Sequence, residues 1–459
     1  MTKNFADCLI FIGIGLLLTA CTATEAEQQA TTDEVILDKS LAPLPPMGWN
    51  SFDCFGLNPQ EADIRANAEY VAKYLKPLGY EYIVIDGGWY HDSLASDYTL
   101  FATNQIKKPN FSVDEHGRLI PNPDKFPSSR GGKGFKPLAD YIHSLGLKFG
   151  IHIMRGIPWQ AGARHLTIQG TEVDAATISD STRVCEWFYG MPGVNVDQPG
   201  GQEYYNSVFK QYADWGVDYV KADDQNYEEE LIAINKAVAN CGRPMLLSIV
   251  GDLSDEVQMK YSHLWRISSD FWDDWEMLKA QFSNAIHWAP TIGEQGWPDL
   301  DMLPVGKIGK YICYKGPERF SQFTEEEHYS LFSLWYMMRS PLMLGGNLPE
   351  NPDFLTELLH NEEALALNRH SENNRLVRWR NAEMVWAADI PDSEDKYVAV
   401  FNNFGCGPLP MDVSWEELGL EEGEYTVRDL WKKEDIGTFA QGFAPTVRSH
   451  EGRLFRISR

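Results

Sequence analysis

Between residue 45 and about 367 the chain repeats one pattern. Short runs that are apolar at nearly every position alternate with longer stretches whose apolar residues recur every three to four positions. The runs 82–85, 148–152, 219–221, 245–248 and 264–267 predict strands, and 62–78, 134–145 and 202–215 predict helices. A strand apolar throughout has both faces buried, as in a parallel sheet covered by helices. Several runs lead into residues with chemistry: Asp86 follows Ile85, Asp223 lies just past Val220, and Asp270 lies just past Arg266. In a (β/α)8 barrel such residues gather at the C-terminal mouth. A doubly wound sheet would gather them at one crevice, but no glycine-rich phosphate turn accompanies them. The reading is an α/β fold, a (β/α)8 TIM barrel over 44–367.

After Asn368 the period changes. The segments 375–380, 384–388, 397–402, 423–429 and 453–457 read as short strands separated by turns, with 415–418 the one helical candidate. They predict a C-terminal antiparallel β-sandwich domain over 368–459.

The first residues follow neither pattern. Lys3 precedes an apolar run from Leu9 to Ala20, long enough for the core of a signal peptide and too short to span a bilayer. Leu18-Thr19-Ala20-Cys21 resembles the lipobox of bacterial lipoproteins, which implies cleavage before Cys21 and a lipid anchor on it. Residues 1–21 are then a lipoprotein-type signal peptide and 22–43 a polar tether. The expected address is outside the inner membrane: periplasmic or anchored to the outer membrane, with the lipid as the chain's only membrane contact.

Charge and cysteines narrow the chemistry. Forty Lys+Arg against 66 Asp+Glu leave a net charge of −26, which argues against a nucleic-acid partner. Apart from Cys8 and Cys21, the cysteines (Cys54, Cys185, Cys241, Cys313, Cys406) are scattered and form no C-x-x-C pair. That speaks against a cysteine zinc site and a dense disulfide framework, and at most two bridges can form. No metal or organic cofactor is expected.

Fifteen tryptophans are many, and Trp49, Trp89, Trp265, Trp272, Trp275 and Trp297 flank the strand-end acids. Sugar rings stack their C–H faces on aromatics, and their hydroxyls bond to Asp, Arg and Lys. A glycosidase also needs two carboxyls, one at each side of the bond it cuts. The bland alternative is core tryptophans and helix-capping aspartates.

Several blocks, in order, resemble glycoside hydrolase family 27, the family of α-galactosidases and α-N-acetylgalactosaminidases. They are Pro45-Pro46-Met47-Gly48-Trp49-Asn50-Ser51, Tyr82-Ile83-Val84-Ile85-Asp86, Gly146-Leu147-Lys148-Phe149-Gly150-Ile151 and Trp215 through Asp223. Trp297-Pro298-Asp299-Leu300-Asp301-Met302-Leu303, Thr324-Glu325-Glu326-Glu327 and Arg339-Ser340-Pro341-Leu342-Met343 continue the series. The resemblance implies Asp223, in Lys221-Ala222-Asp223, as nucleophile and Asp270, in Arg266-Ile267-Ser268-Ser269-Asp270, as acid/base of a retaining exo-α-glycosidase. It further implies Lys221, Arg266 and Asp86 as ligands of sugar hydroxyls and Trp49 as the stacking aromatic. Asp299 and Asp301 look like the pair after the seventh strand, there either to support the sugar-contacting residues from behind or to order the loop.

Certain positions depart from the family. Asp86 is followed by Gly87 where α-galactosidases carry a second aspartate toward O4 and O6, and Val250 stands where the 2-substituent is read. Gly88 and Gln225 replace cysteines that would pair with Cys54 and Cys185. His152 replaces a tyrosine and Asp224 a glycine, and either could compensate for the lost aspartate. The expectation is an α-galactosidase acting on terminal α-D-galactosyl residues. The same chemistry on a β-L-arabinopyranoside or an α-glucan is the first alternative, and a catalytically silent carbohydrate-binding surface lipoprotein is the second.

Overall fold

A computed structural model describes residues 37–91, 109–188, 190–311, 316–403 and 407–459. The expected signal peptide and lipobox and most of the expected tether lie outside the described residues, as do Cys313 and Cys406.

Eight parallel strands form the expected sheet: β1 (Met47–Asn50), β2 (Tyr82–Ile85), β3 (Lys148–Met154), β4 (Tyr219–Asp223), β5 (Leu246–Ile249), β6 (Leu264–Arg266), β7 (Trp297–Asp299) and β8 (Leu342–Leu344). Their order is β8-β1-β2-β3-β4-β5-β6-β7. The ring closes beyond β7, where the Leu303 N–H donates to Met343 O at 2.8 Å and the Gly345 N–H to Leu303 O at 2.9 Å.

Helices cover the outside: α1 (Glu61–Tyr70), α2 (Lys136–Ser144), α3 (Gly201–Trp215), α4 (Glu228–Asn240), α5 (Asp255–Tyr261), α6 (Trp275–Trp288), α7 (Glu325–Met337) and α8 (Glu362–Arg369). α7 starts at a capping box, Thr324 and Glu327 each bonding the other's backbone N–H. The predicted helix over 62–78 is α1 followed by a wide turn, Val71–Leu75, and a tight one, Lys76–Leu78. Pro77 has no N–H to continue an α-helical ladder, and Gly79 at φ +99° ends it.

Six antiparallel strands follow: β9 (Glu372–Arg380), β10 (Glu383–Asp389), β11 (Lys396–Asn402), β12 (Tyr425–Asp429), β13 (Glu434–Phe439) and β14 (Gly452–Ser458), in the order β9-β10-β11-β14-β12-β13. One face, with Val385, Ala387, Val398, Val400 and Phe455, packs on Met411, Val413, Trp415 and Phe443. Those residues come from two short ladders, Leu409–Pro410 with Thr446–Val447 and Val413–Ser414 with Gly442–Phe443, from the link between them at Met411 and from the turn after Ser414. The other face, with Met384, Trp386, Ala399, Phe401 and Leu454, joins the barrel's own core. The helical candidate at 415–418 is that turn, and β13 is a strand the pattern did not reveal.

Candidate active site

The strand ends open on a cavity of about 1080 Å³. Which side chains reach it follows from the in–out alternation of each strand. On β4, Val220 and Ala222 enter the core under the helices, while Lys221 and Asp223 line the cavity. The neighbouring β3 pairs His152 with Lys221 in register, and His152 lines the cavity as well.

The first half of the site is a network around Asp223. Lys221 Nζ donates to Asp86 Oδ2 at 2.9 Å, and Asn50 Nδ2 donates to the same oxygen at 2.8 Å. The Gly87 N–H donates to Asp86 Oδ1 at 2.7 Å. Burial opposes ionisation of Asp86, but Lys221 and His152 outweigh it and hold this carboxyl well below the usual range. Asp223 Oδ1 accepts from the Asp224 N–H at 2.8 Å, and Oδ2 lies 3.2 Å from His152 Nε2. Burial would raise Asp223, yet His152, Lys221 and Arg266 together lower it, so this carboxylate is ionised near neutrality.

The second half is built on Arg266 at the end of β6. Its Nη2 donates to Asp270 Oδ1 at 2.7 Å, and Nη1 lies 3.4 Å from Asp301 Oδ2. Asp270 is half exposed, so an incoming oxygen can reach it. Asp301 accepts from the Phe271 and Met302 N–H groups, both at 2.8 Å, and Asp299 from the Asp301 N–H at 2.9 Å. The pair therefore orders the loop beyond β7. Burial first, then Asp301, pushes the Asp299 carboxyl up to about 7.

Two of the expected sugar contacts need correction. Trp49 is 0% exposed and donates its indole N–H to Gly346 O at 2.7 Å. Its strand phase sends it outward beneath the helices, while Asn50, one residue on, reaches Asp86. The aromatic wall is instead Phe52, on the short helix Phe52–Phe55 after β1, with Trp272 at 6.3 Å between ring centroids. Its signal was the distance past the strand end, which carries the chain over the mouth. Asp224 lines the cavity, but both its oxygens are engaged, Oδ2 by Arg155 at 2.7 Å and Oδ1 by Asn226 Nδ2 at 2.8 Å. Its backbone is left-handed, φ +59°, a region that costs most residues with a Cβ roughly 1–2 kcal/mol and an aspartate less.

Other tryptophans near the acids also serve elsewhere. Trp89 bonds His152 O, Trp297 bonds Ala42 O, Trp265 is core, and Trp275 stacks on His450 at 3.8 Å. Trp187, half exposed at the rim, and Trp288 were not foreseen. Gly87 leaves no open slot: a Cβ there would stand 3.1 Å from Leu57 Cδ2 and 3.5 Å from the His152 ring. Among the described residues Cys54, Cys185 and Cys241 are buried free thiols. No group of three or more His, Cys, Asp or Glu that could hold a metal ion occurs among the described residues.

Comparison with known proteins agrees with this geometry. Residues 45–191 and 189–370 match the family described as alpha galactosidase A, and 382–457 match the alpha galactosidase C-terminal beta sandwich domain. The α-galactosidase of Cyamopsis tetragonoloba is 27% identical over 97% of this chain and 93% of its own. α-Galactosidase A of Cellvibrio japonicus is 27% identical over 98% of each. A crystal structure of a GH27 β-L-arabinopyranosidase from Geobacillus stearothermophilus is 41% identical, with a TM-score of 0.86 over 92% of this chain and 98% of that one. With the fold, the paired acids and both halves of the chain in agreement, the protein belongs to the α-galactosidase family of glycoside hydrolases, family 27.

Proposed function

We propose that the chain is a retaining exo-glycosidase for terminal sugars of the galacto configuration, with Asp223 as nucleophile and Asp270 as acid/base. The observation that carries this reading is the pair of carboxyls in one cavity, held in different environments. Asp223 is buried and kept ionised by cations, and Asp270 is half exposed beside Arg266. Asp223 attacks the anomeric carbon while protonated Asp270 gives its proton to the departing glycosidic oxygen. The resulting glycosyl ester is cleaved by a water whose proton returns to Asp270, and Asp223 is released. Lys221, Asp86 and Arg266 bond the ring hydroxyls, and the sugar's C–H face lies on Phe52. An activated 2-deoxy-2-fluoro glycoside should leave one sugar on the peptide containing Asp223, read by mass spectrometry. Labelling elsewhere would overturn the assignment.

α-D-Galactosides and β-L-arabinopyranosides share ring stereochemistry and differ by the C6 hydroxymethyl group. One observation favours the pentose: the wall at Gly87 offers no carboxylate, and Leu57 and the His152 ring crowd that position. The 41% identical β-L-arabinopyranosidase supports it too. Nitrophenyl β-L-arabinopyranoside should be cleaved with higher kcat/KM than nitrophenyl α-D-galactoside, and the reverse ranking would restore galactose as the main sugar.

We further propose that Leu18-Thr19-Ala20-Cys21 acts as a lipobox and that a lipid on Cys21 tethers the enzyme outside the inner membrane. Metabolic labelling with a radioactive fatty acid should mark the wild type, and Cys21→Ser should abolish the label.

A further inference from the structure

Arg155 is the first residue past β3, is 1% exposed and contributes nothing to the cavity wall. Its contacts nonetheless converge on the residue after the nucleophile. Its Nε donates to Asp224 O at 2.9 Å and its Nη2 to Asp224 Oδ2 at 2.7 Å. Its own N–H donates to Asp223 O at 3.1 Å. The guanidinium is anchored in turn: Nη1 donates to Glu230 Oε1 at 2.8 Å, Nη2 to Arg183 O at 2.9 Å, and the Tyr227 ring lies 4.5 Å away. Glu230, fully buried, is fixed by Tyr205 Oη at 2.6 Å and the Val194 N–H at 3.0 Å.

Asp224 needs such a hold. Positive φ is uncommon outside glycine, although aspartate enters it more readily than most residues, and this turn points the Asp224 N–H at Asp223 Oδ1. Rotation out of that conformation, with the Asp224 carbonyl held, would take the N–H away from the carboxylate. Asp223 would then lose one of the bonds that set its orientation. We infer that Arg155 is a positioning residue for the nucleophile: it clamps Asp224 in the left-handed conformation and so keeps the Asp224 N–H on Asp223. This rests on the reading of Asp223 as nucleophile.

The alternative, that Asp224 binds sugar, makes a different prediction. If its carboxylate touches substrate, Asp224→Ala and Asp224→Gly should do equal harm. If its backbone shape is what matters, glycine adopts that shape freely and alanine does not. On the full chain with nitrophenyl β-L-arabinopyranoside and α-D-galactoside, Asp224→Ala should lower kcat about tenfold with KM within about twofold, and Asp224→Gly should stay within about threefold of wild type. Arg155→Met should lower kcat like Asp224→Ala, and Arg155→Met/Asp224→Gly should recover most of that loss. Rates are taken per active site titrated with the 2-fluoro glycoside, so a folding defect alone does not register. Should Arg155→Met fail to fold, the two Asp224 variants decide alone. Equal losses in those two, or no recovery in the double variant, would overturn the inference. Ordinary turnover by Asp223→Asn would instead overturn the nucleophile reading beneath it.

Discussion

The two ends of the same eight strands are filled by opposite chemistry. At the floor Tyr82, Tyr219, Leu246, Leu264, Trp297 and Met343 close the barrel with apolar surface. Two or four residues further along the same faces, Asp86, Lys221, Asp223 and Arg266 fill it with charge. The alternation never changes phase; only the residue type does. The floor gains the transfer free energy of each buried side chain, roughly 1.5–3 kcal/mol for a leucine. The mouth sets desolvation against pairing: Lys221 with Asp86, Arg266 with Asp270 and Asp301. Stability is thus concentrated at one end and chemistry at the other.

The sharpest way to break that division is to change one residue at each end. Asp223→Asn should lower kcat by roughly 10³-fold or more, since an amide is a poor nucleophile, with only a small fall in the thermal unfolding midpoint as the amide forfeits the pairing that lowers Asp223. A large fall in that midpoint would mean the mouth also carries stability. Leu246→Ala at the floor should cost about 2–5 kcal/mol in denaturant unfolding and leave kcat/KM per folded enzyme within about twofold. Lost activity in the folded fraction would show that the floor tunes the site.

A third test uses pH. The Asp299 carboxyl sits at about 7 in the fold against an ordinary 3.8. Between those values the folded state binds the extra proton, so the stability this group contributes is present at low pH and lost as pH rises through the window. Asp86 and Asp223 are shifted down, so their contribution is present above the ordinary carboxylate range and lost on acidification. Asp299→Asn should therefore flatten the decline in melting temperature between about pH 4 and pH 7. An unchanged slope would assign that decline to other groups.

The smallest effect concerns sugar choice. Gly87→Asp alone should not improve α-galactoside turnover, because its Cβ must displace Leu57. Gly87→Asp/Leu57→Ala makes the room. It should raise the ratio of α-galactoside to β-L-arabinopyranoside kcat/KM by about tenfold, the worth of one charged hydrogen bond. A ratio that stays put would place sugar selection elsewhere in the cavity.

Legibility varied by residue for physical reasons. The run at β2 is apolar at all four positions because the strand is buried on both faces, and Tyr82–Ile85 is its observed extent. β10 and β11 were readable for the same reason, one face meeting the short ladders and the other the barrel. β13 was not, since it is an edge strand paired only with β12 and its residues stay largely in solvent. That Asp86, Asp223 and Asp270 gather at the mouth was legible because strand ends point there by topology. The aromatics were not, because nearness in sequence to an acid says little about which way a ring faces.

The sequence by itself determined the barrel, the appended sheet, the family and the Lys221-Ala222-Asp223 and Arg266–Asp270 spacings. Each of these is a local period or a local motif. Only the tertiary structure decided that Trp49 turns to the core while Phe52 faces the cavity, that Leu57 closes on Gly87, and that Asp224 is bound by Arg155. Arg155 and Asp224 lie 69 residues apart in the chain, each one residue past the end of neighbouring strands β3 and β4. No local pattern encodes such a contact, because register and packing between strands set it.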